Sequence, residues 1–125
     1  MSQKIAILGA SSDRSKFGNK CVRAYIKKGW TVYPVSLKGG EIEGLESYTK
    51  LADVPGELDR ISVYLPPAIG IGQLEQIAAK DADQVWFNPG AADSELLEKA
   101  GSLGINAVAG CSIVDIGLSP SQFPG

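Results

Sequence analysis

The stretch ILGASSDRSKFG, residues 7–18, joins an apolar run to a helical pattern through a long polar loop. The run KIAIL (residues 4–8) is typical of a buried strand, which Gly9 closes. A dinucleotide-binding fingerprint has a second glycine two positions later, where it lets the backbone approach a pyrophosphate. Ser11 stands there instead, and the next glycine is Gly18. Because the intervening loop is rich in hydrogen-bond donors, it predicts either an altered nucleotide site or a polar link between strand and helix.

Short apolar runs alternate with helical patterns along the rest of the chain. The apolar runs predict strands over residues 4–8, 30–35, 60–65, 84–87 and 105–109, with a short strand or turn around residues 47–49. Apolar residues at helical spacing predict helices that end near residues 28, 80 and 103. The second helix is expected to begin after Gly72, and Asp93 or Ser94 is expected to cap the third. Residues 36–44 are predicted to form a loop, and residues 110–125 have no clear periodicity.

Strands that alternate with helices over short links predict a parallel sheet with helices on both faces. Right-handed crossovers then give a single α/β, Rossmann-like, doubly wound sheet of about five strands. A chain of 125 residues has room for one domain, so the prediction covers residues 1–125 as one unit. Ligands of such sheets bind beyond the carboxyl ends of the strands, where the strand order reverses. Four segments meet this condition: residues 9–18, 36–40, 65–67 and 88–90.

The charges are unevenly distributed around a net charge of −2. Residues 1–40 hold eight basic residues and one acidic residue, whereas the remainder holds four basic and thirteen acidic residues. Positive charge around the glycine-bounded loop favours a small phosphorylated ligand, although a solvated basic helix face is the simpler alternative. Nucleic acid is a poor candidate, because the basic residues are not interleaved with stacking aromatic residues or joined by a second basic patch.

The chain contains no histidine and two cysteines, Cys21 and Cys111. Without histidine, the sequence excludes phosphohistidine catalysis, Ser-His-Asp or Cys-His chemistry, and histidine-bearing metal sites. The cysteines are too far apart to suggest a disulfide framework or a metal site. No apolar run approaches the ~18 residues of a membrane span, and the first predicted strand begins too early for a signal peptide. We therefore expect a cytoplasmic domain without membrane contact.

The polar loop and the end of the second predicted strand indicate which nucleotide is preferred. Backbone N–H groups at the helix start, together with Ser11, Ser12, Arg14 and Lys16, are suited to a diphosphate. An NAD site has an acidic residue at the end of the second strand. This chain has Lys38 near that position instead, which would attract a phosphate on the ribose. That leaves NADP or a 3′-phosphorylated adenosine, which is coenzyme A.

Longer stretches of the sequence resemble the small stand-alone CoA-binding domain family, whose fold recurs as the N-terminal domain of the succinyl-CoA synthetase α-subunit. The matching stretches are IAILGASSDRSKFGNKCVRAYIKKGW, VYPV, EIEGLESYTKLADVP, VWFNPGAADSELLEKAGSLGI and a cysteine after the last strand. They follow one another along nearly the whole chain. The resemblance implies a Rossmann-type domain that binds CoA or an acyl-CoA.

The resemblance also implies which residues contact the ligand. The phosphates would be cradled by Gly9, Ala10, Ser11, Ser12, Asp13 and Arg14, with Lys16 and Phe17 close by. The adenosine would be flanked by Pro34, Val35 and Ser36, with Lys38 at its phosphate. The adenine would meet a wall of Leu65 and Pro66, above a floor of Asn88, Pro89 and Gly90.

The sequence departs from the family pattern in three places. The second strand of family members usually ends V-N-P, whereas this chain has VSL at residues 35–37, next to the predicted adenosine contacts. Many members have arginine before the final cysteine, where this chain has Gly110. The catalytic histidine of the synthetase belongs to a second domain that these residues do not include.

Cys111 lies where a thiol could meet the ligand's own thiol, but free cysteine more often packs as a small hydrophobe. Packing is also the role expected of Cys21.

Three hypotheses about function follow. The first is a module that binds CoA or an acyl-CoA without its own catalytic centre, either alone or for a partner enzyme. The second is a minimal NADP-dependent reductase that uses the same loop and Lys38, with Tyr33, Tyr48 or Tyr64 as proton donor. The third is an interaction subunit of an acyl-CoA-handling enzyme, with the acidic second half and the stretch SPSQFPG (residues 119–125) at the partner. A homo-oligomer is also left open.

Overall fold

The computed structural model describes residues 3–125, which form an α/β fold. The strands are β1 Lys4–Leu8, β2 Thr31–Val35, β3 Glu41–Ile42, β4 Leu45–Glu46, β5 Arg60–Val63, β6 Gln84–Phe87 and β7 Ala107–Ala109. The helices are α1 Phe17–Lys27, α2 Pro67–Gly70, α3 Leu74–Lys80, α4 Ser94–Ser102 and α5 Ser112–Asp115. Short 3-10 turns cover Leu51–Asp53, Ile71–Gln73 and Pro120–Gln122. No helix within residues 3–125 combines the length and the apolar character needed to cross a bilayer.

The main sheet has five parallel strands in the order β2-β1-β5-β6-β7. The chain moves from β1 outward to β2, and it then returns to the other side of β1 to continue through β5, β6 and β7. The strand order therefore reverses between β1 and β5. This arrangement confirms the predicted Rossmann-like sheet, and it places the ligand crevice beyond the carboxyl ends of β1 and β5.

Two apolar layers cover opposite faces of the sheet. Ala6 and Leu8 of β1 pack in the layer that contains α3 and α4. Ile5 and Ile7 pack in the layer that contains α1 and α5. Residues 5–8 are all buried, as expected of a parallel strand between two helical layers. The two faces are built from the alternation of side chains along each strand.

Most predicted elements are present, with shifted ends. β2 begins at Thr31, β5 ends at Val63 and β7 begins at Ala107, so all three strands are shorter than predicted. Asp93 caps α4, since its Oδ1 accepts a hydrogen bond of 2.9 Å from the backbone of Leu96. The helix that ends at Lys80, α3, begins at Leu74, after Gly72 as predicted, but α2 and a 3-10 turn that the sequence did not predict precede it.

The loop prediction for residues 36–44 is corrected by a small hairpin. β3 and β4 pair antiparallel, with Ile42 opposite Leu45. The two residues between the strands, Glu43 and Gly44, both have positive φ, of 49° and 81°. This conformation suits the twist of a two-residue hairpin turn. The strands are only two residues long, so they leave no alternating pattern in the sequence.

Residues 110–125 have structure despite their lack of periodicity. α5 packs in the α1 layer, where Ile113 is fully buried. The turn Pro120–Gln122 is closed by a capping box between Ser119 and Gln122. The chain then inserts Phe123 into the same layer, where the side chain is buried. The last residues of the chain are therefore part of the core that supports α1.

Candidate ligand-binding site

Two glycines bring α1 against the end of β1. Gly9 has a φ of +91°, and a Cβ atom there would lie 3.1 Å from the carbonyl group of Tyr64. A Cβ atom on Gly18 would lie 2.3 Å from the carbonyl oxygen of Gly9. Gly18 therefore provides the close helix–strand packing that the last glycine of a dinucleotide fingerprint provides. The longer spacing leaves room for a wider loop, which we call the β1–α1 loop (residues 9–16).

Asp13 shapes this loop from within. Its Oδ1 accepts hydrogen bonds from the backbone N–H of Ser15 at 3.0 Å and from the Ser15 hydroxyl at 2.6 Å. The Ser11 hydroxyl in turn accepts a hydrogen bond of 3.0 Å from the backbone of Asp13. The hydrogen bonds from Ser15, with a smaller effect of the Lys16 charge, lower the pKa of the Asp13 carboxyl. Asp13 thus organises the loop as a carboxylate, and its charge is engaged by the loop itself.

Several backbone donors of the loop are available to a ligand. The N–H groups of Ser11, Ser12 and Arg14 have no hydrogen-bond acceptor within the part of the chain that the structure describes. They precede α1, whose N-terminus carries a partial positive charge. Backbone N–H groups at the start of a helix are a common binding site for phosphate. The loop therefore has the donors that an anion requires.

A cleft of about 570 Å³ lies between the ends of β1 and β2, the hairpin and the helices α2 and α3. We call it the β2-side cleft. It brings together nine of the predicted site residues: Gly9, Ala10, Ser11, Ser12, Asp13, Val35, Ser36, Lys38 and Leu65. Lys38 thus lines the same cleft as the β1–α1 loop, as the nucleotide interpretation requires.

A second cleft of about 460 Å³ lies between the β1–α1 loop and the ends of β5 and β6. We call it the β6-side cleft. Its predicted lining residues are Gly9, Ser11, Lys16, Phe17, Leu65, Pro66, Pro89 and Gly90. Gly9, Ser11 and Leu65 belong to both clefts, so the clefts adjoin each other across the carboxyl ends of β1 and β5. Together they form an elongated candidate binding surface at the point where the strand order reverses.

Three predicted site residues line neither cleft: Arg14, Pro34 and Asn88. Arg14 is turned to the hairpin, where its Nε lies 3.4 Å from a carboxylate oxygen of Glu43. Pro34 is buried within β2, opposite Ile7 of β1. The side chains of these three residues contact other parts of the fold, and the ligand contacts that the resemblance implies for them stay predictions.

Asn88 is buried and its amide group is used by the fold. Its Nδ2 donates to the Ser62 hydroxyl at 2.8 Å and to the Val63 carbonyl at 3.0 Å. Its Oδ1 accepts a hydrogen bond of 2.9 Å from the backbone of Ser112. Asn88 therefore joins the ends of β5 and β6 to the start of α5, and we assign it a structural role in supporting the floor next to Pro89.

The sequence interpretation missed several residues of the β2-side cleft, among them Leu37, Lys50 and Ile69. Leu37 is 87% exposed and Ile69 is 54% exposed, which is unusual for large apolar side chains. Lys50 places a second lysine in the cleft that contains Lys38. Nothing local in the sequence identifies Lys50, because it reaches the cleft only after the β3–β4 hairpin has turned the chain back.

The cysteines and Tyr64 do not present reactive groups to this site. Cys21 is fully buried, which confirms its packing role, and burial raises the pKa of its thiol to about 11. Burial also raises the pKa of Tyr64, whose hydroxyl is enclosed although the residue lines the β6-side cleft. Cys111 is half-buried at the start of α5. Among the described residues, no group of three or more acidic or cysteine side chains is placed to hold a metal ion.

Comparison with known proteins identifies the family. Residues 3–117 match a family described as CoA binding domain. The chain belongs to this CoA-binding domain family. The match covers nearly the whole chain and confirms the resemblance inferred from the sequence.

Relatives in the family include parts of much larger enzymes. The alpha subunit of acetate–CoA ligase (ADP-forming) II from Pyrococcus furiosus is 35% identical over 65 residues, which are 50% of this chain and 14% of that subunit. The dinucleotide forming acetyl-coenzyme A synthetase 1 of Ca. Korarchaeum cryptofilum is 26% identical, with a TM-score of 0.75 over 85% of this chain and 25% of that one. The chain spans less than a fifth of the length of the curated relatives it matches.

Another relative is as small as this chain. A conserved hypothetical protein from Pyrococcus furiosus is 30% identical and has a TM-score of 0.83, with 90% of this chain and 98% of that chain covered. The fold of this family therefore exists both as a small protein and as part of larger ligases.

Proposed function

We propose that residues 1–125 form one unit that binds coenzyme A, free or acylated, in the cytoplasm, and that it acts as a binding module rather than as a catalyst. The phosphorylated adenosine would lie in the β2-side cleft, and the pantetheine arm would enter the β6-side cleft. One observation carries the proposal: Lys38 and Lys50 line the same cleft as Ser11 and Ser12, whose N–H groups are available. The family match supports coenzyme A as the ligand.

The charges of the β2-side cleft suit the phosphates of coenzyme A. The diphosphate would accept hydrogen bonds from the N–H groups of Ser11 and Ser12 at the approach to α1. The separate 3′-phosphate would meet Lys38 and Lys50 as point charges. Ser36 follows β2 where an NAD site would have a carboxylate, so no acidic side chain there repels that phosphate.

The β6-side cleft suits the pantetheine arm, which is neutral and alternates amide groups with short hydrocarbon segments. Phe17, Leu65, Pro66 and Pro89 supply apolar walls. Phe17 is 60% exposed, so its ring is available to cover a ligand. Because Gly9 and Leu65 border both clefts, a ligand that is phosphorylated at one end and apolar at the other can occupy both at once. The family match favours coenzyme A over NADP as the ligand.

Calorimetric titration of the purified protein tests the proposal. We expect coenzyme A to bind and to raise the melting temperature, because a ligand that binds only the folded state stabilises it. Dephospho-coenzyme A, which lacks the 3′-phosphate, should bind about tenfold more weakly or worse if the two lysines recognise that group. NADPH provides the comparison with the alternative cofactor. The absence of both heat and a thermal shift with coenzyme A at millimolar concentration contradicts the proposal.

We also propose a protein partner, an enzyme that produces or consumes an acyl-CoA. The support is that a relative of this chain is one subunit of an acetate–CoA ligase. Affinity capture from cell extract, with and without added coenzyme A, tests this. Recovery of an acyl-CoA-handling enzyme supports the proposal. Recovery of none, or only of a second copy of this chain, contradicts it.

A further inference from the structure

We infer that Asn19 and Arg23 are positioning residues that hold the β1–α1 loop in its phosphate-receiving shape and join it to the C-terminal segment (residues 119–125). The inference rests on the proposed function, because it concerns how the phosphate site of that proposal is formed. Neither residue lines either cleft. Any effect of these two side chains on the ligand is therefore indirect, through the segments that they hold in place.

Asn19 connects the start of the loop to the hairpin. It is fully buried on the first turn of α1. Its Nδ2 donates to the carbonyl of Ser11 at 2.9 Å and to the carboxylate of Glu43 at 3.1 Å. Its Oδ1 accepts a hydrogen bond of 2.8 Å from Nε of Arg23. The whole amide group is thus committed to holding neighbouring segments, as expected of a buried polar side chain.

Arg23 connects the end of the loop to the C-terminal segment. Its guanidinium donates to the carbonyl of Arg14 at 2.8 Å. The same group donates to the carbonyls of Phe123 at 2.9 Å and Pro124 at 3.0 Å. It also lies 5.8 Å from the centre of the Phe123 ring. The planar guanidinium has its donors in a fixed arrangement, so the three carbonyls it binds are held relative to one another.

These contacts set the direction of the N–H groups in the loop. In a trans peptide the C=O and the following N–H point in opposite directions. Because the carbonyl of Ser11 is directed to Asn19, the N–H of Ser12 is directed away from it, and Ser12 lines the β2-side cleft. A loop that already has this geometry loses less conformational entropy when a phosphate binds.

The C-terminal segment also has contacts of its own that fix it in place. Gln122 accepts a hydrogen bond of 2.7 Å from the backbone of Ser119, and this closes the turn before Phe123. Phe123 is buried in the α1 layer. Gly125 packs so closely on the loop that a Cβ atom there would lie 2.6 Å from Cα of Ser15. Displacement of the segment would therefore release the loop from one of its supports.

The test compares Arg23→Met, Arg23→Lys and Phe123→Ala with the control Lys27→Met, which removes an exposed charge from the same helix. Affinity for coenzyme A and for adenosine 3′,5′-bisphosphate is measured by calorimetry under conditions where circular dichroism shows each variant folded. We expect Arg23→Met to weaken both affinities about tenfold to a hundredfold, the range for loss of hydrogen bonds from a charged group. Arg23→Lys should recover only part of this, because an ammonium lacks the fork of donors.

Phe123→Ala distinguishes positioning from simple destabilisation. It should weaken affinity although Phe123 lines neither cleft, whereas Lys27→Met should leave affinity unchanged. Folded Arg23→Met and Phe123→Ala proteins that bind within about twofold of the original chain would overturn the inference. If the original chain itself does not bind coenzyme A, the proposed function fails. In that case ¹⁵N relaxation tests whether Arg23 joins the loop to the C-terminal segment. Arg23→Met should mobilise residues 11–15 and 119–125 together, and unchanged relaxation there overturns the inference.

Discussion

Gly18 approaches Gly9 so closely that a Cβ atom on Gly18 would lie 2.3 Å from the carbonyl oxygen of Gly9. At that distance the first turn of α1 can touch the end of β1 only if residue 18 is glycine. Gly9, with its φ of +91°, lets the chain turn at the end of β1 close to the carbonyl group of Tyr64. The two glycines that bound the β1–α1 loop therefore fix both of its ends, and between them the backbone N–H groups of Ser11 and Ser12 stay available to a ligand.

Gly18→Ala is expected to lower the free energy of unfolding by about 1–3 kcal/mol, because the methyl group must push α1 away from the backbone of Gly9. Gly101→Ala is the matched control, since Gly101 lies in α4 and a Cβ atom there meets nothing within 4 Å. The control should stabilise the protein by up to about 1 kcal/mol, as alanine is the better helix former. Urea unfolding measures both. Equal effects of the two substitutions would show that the close contact does not exist.

Lys38→Met and Lys50→Met are each expected to weaken binding of coenzyme A about tenfold while leaving dephospho-coenzyme A nearly unaffected. The physical reason is that both lysines line the β2-side cleft where the 3′-phosphate is proposed to lie. Lys28→Met, at the exposed end of α1, is the control for the loss of one charge. A loss of affinity that is the same for both ligands would mean that the lysines contact the diphosphate instead.

Asn88→Ala is expected to lower the free energy of unfolding by about 2–4 kcal/mol, since it leaves buried partners such as the N–H of Ser112 without their hydrogen bonds. Asn106→Ala is the control, because Asn106 is exposed and its side chain makes, within residues 3–125, one hydrogen bond, to the carbonyl of Asp83. The control should cost less than about 1 kcal/mol. If both variants unfold at the same urea concentration, the interior role assigned to Asn88 is wrong.

The free energy of unfolding is expected to fall as the pH rises from about 9 to 11. Burial raises the pKa of the Cys21 thiol from 9.0 to about 11, so the thiol ionises in the unfolded chain before it ionises in the folded one. The stabilisation that the protonated thiol gives the folded state is therefore complete below pH 9 and is lost by pH 11. The free energy of unfolding falls by about 2–3 kcal/mol over this range. Burial raises the pKa of Tyr25 to about 12, and Tyr25 adds to the slope in the same direction.

Cys21→Ala isolates the thiol in this pH dependence. The variant should be less stable at neutral pH, because it leaves a small cavity, but its stability should fall less steeply between pH 9 and 11. Urea unfolding at several pH values gives the two slopes. Parallel slopes would indicate that Cys21 ionises equally easily in both states, contrary to its burial.

The order and type of most elements could be predicted because they depend on local periodicity. The buried run at residues 4–8 and the apolar spacing of Leu96 and Ala100 are visible within a few residues. Element ends were less accurate, since β5 stops at Val63 where its pairing with β1 and β6 stops. Among the site residues, Ser11, Ser12 and Lys38 could be proposed because each follows a strand that ends at the ligand edge of the sheet.

The remaining features depend on contacts between distant segments. Lys50 enters the cleft only because a hairpin of two-residue strands folds back. Asn88 follows a strand at the ligand edge of the sheet, which is why the sequence predicts it as a site residue. Its side chain is held in the interior by hydrogen bonds with the side chains of Ser62 and Ser112. The C-terminal segment is held because Phe123 packs in the apolar layer of α1. Its carbonyl also accepts a hydrogen bond from Arg23, about a hundred positions earlier in the chain.

The sequence by itself determined the alternating α/β pattern, the parallel sheet and the basic, donor-rich character of the first loop, because these follow from local periodicity and local charge. The tertiary structure alone decided which polar side chains line the two clefts and which form hydrogen bonds or ion pairs within the fold. Arg14 and Arg23 illustrate the difference. Both are basic residues near the same loop, but one pairs with Glu43 and the other binds three backbone carbonyls. Each arginine has partners that are distant in sequence, and only the folded chain brings them within hydrogen-bonding distance.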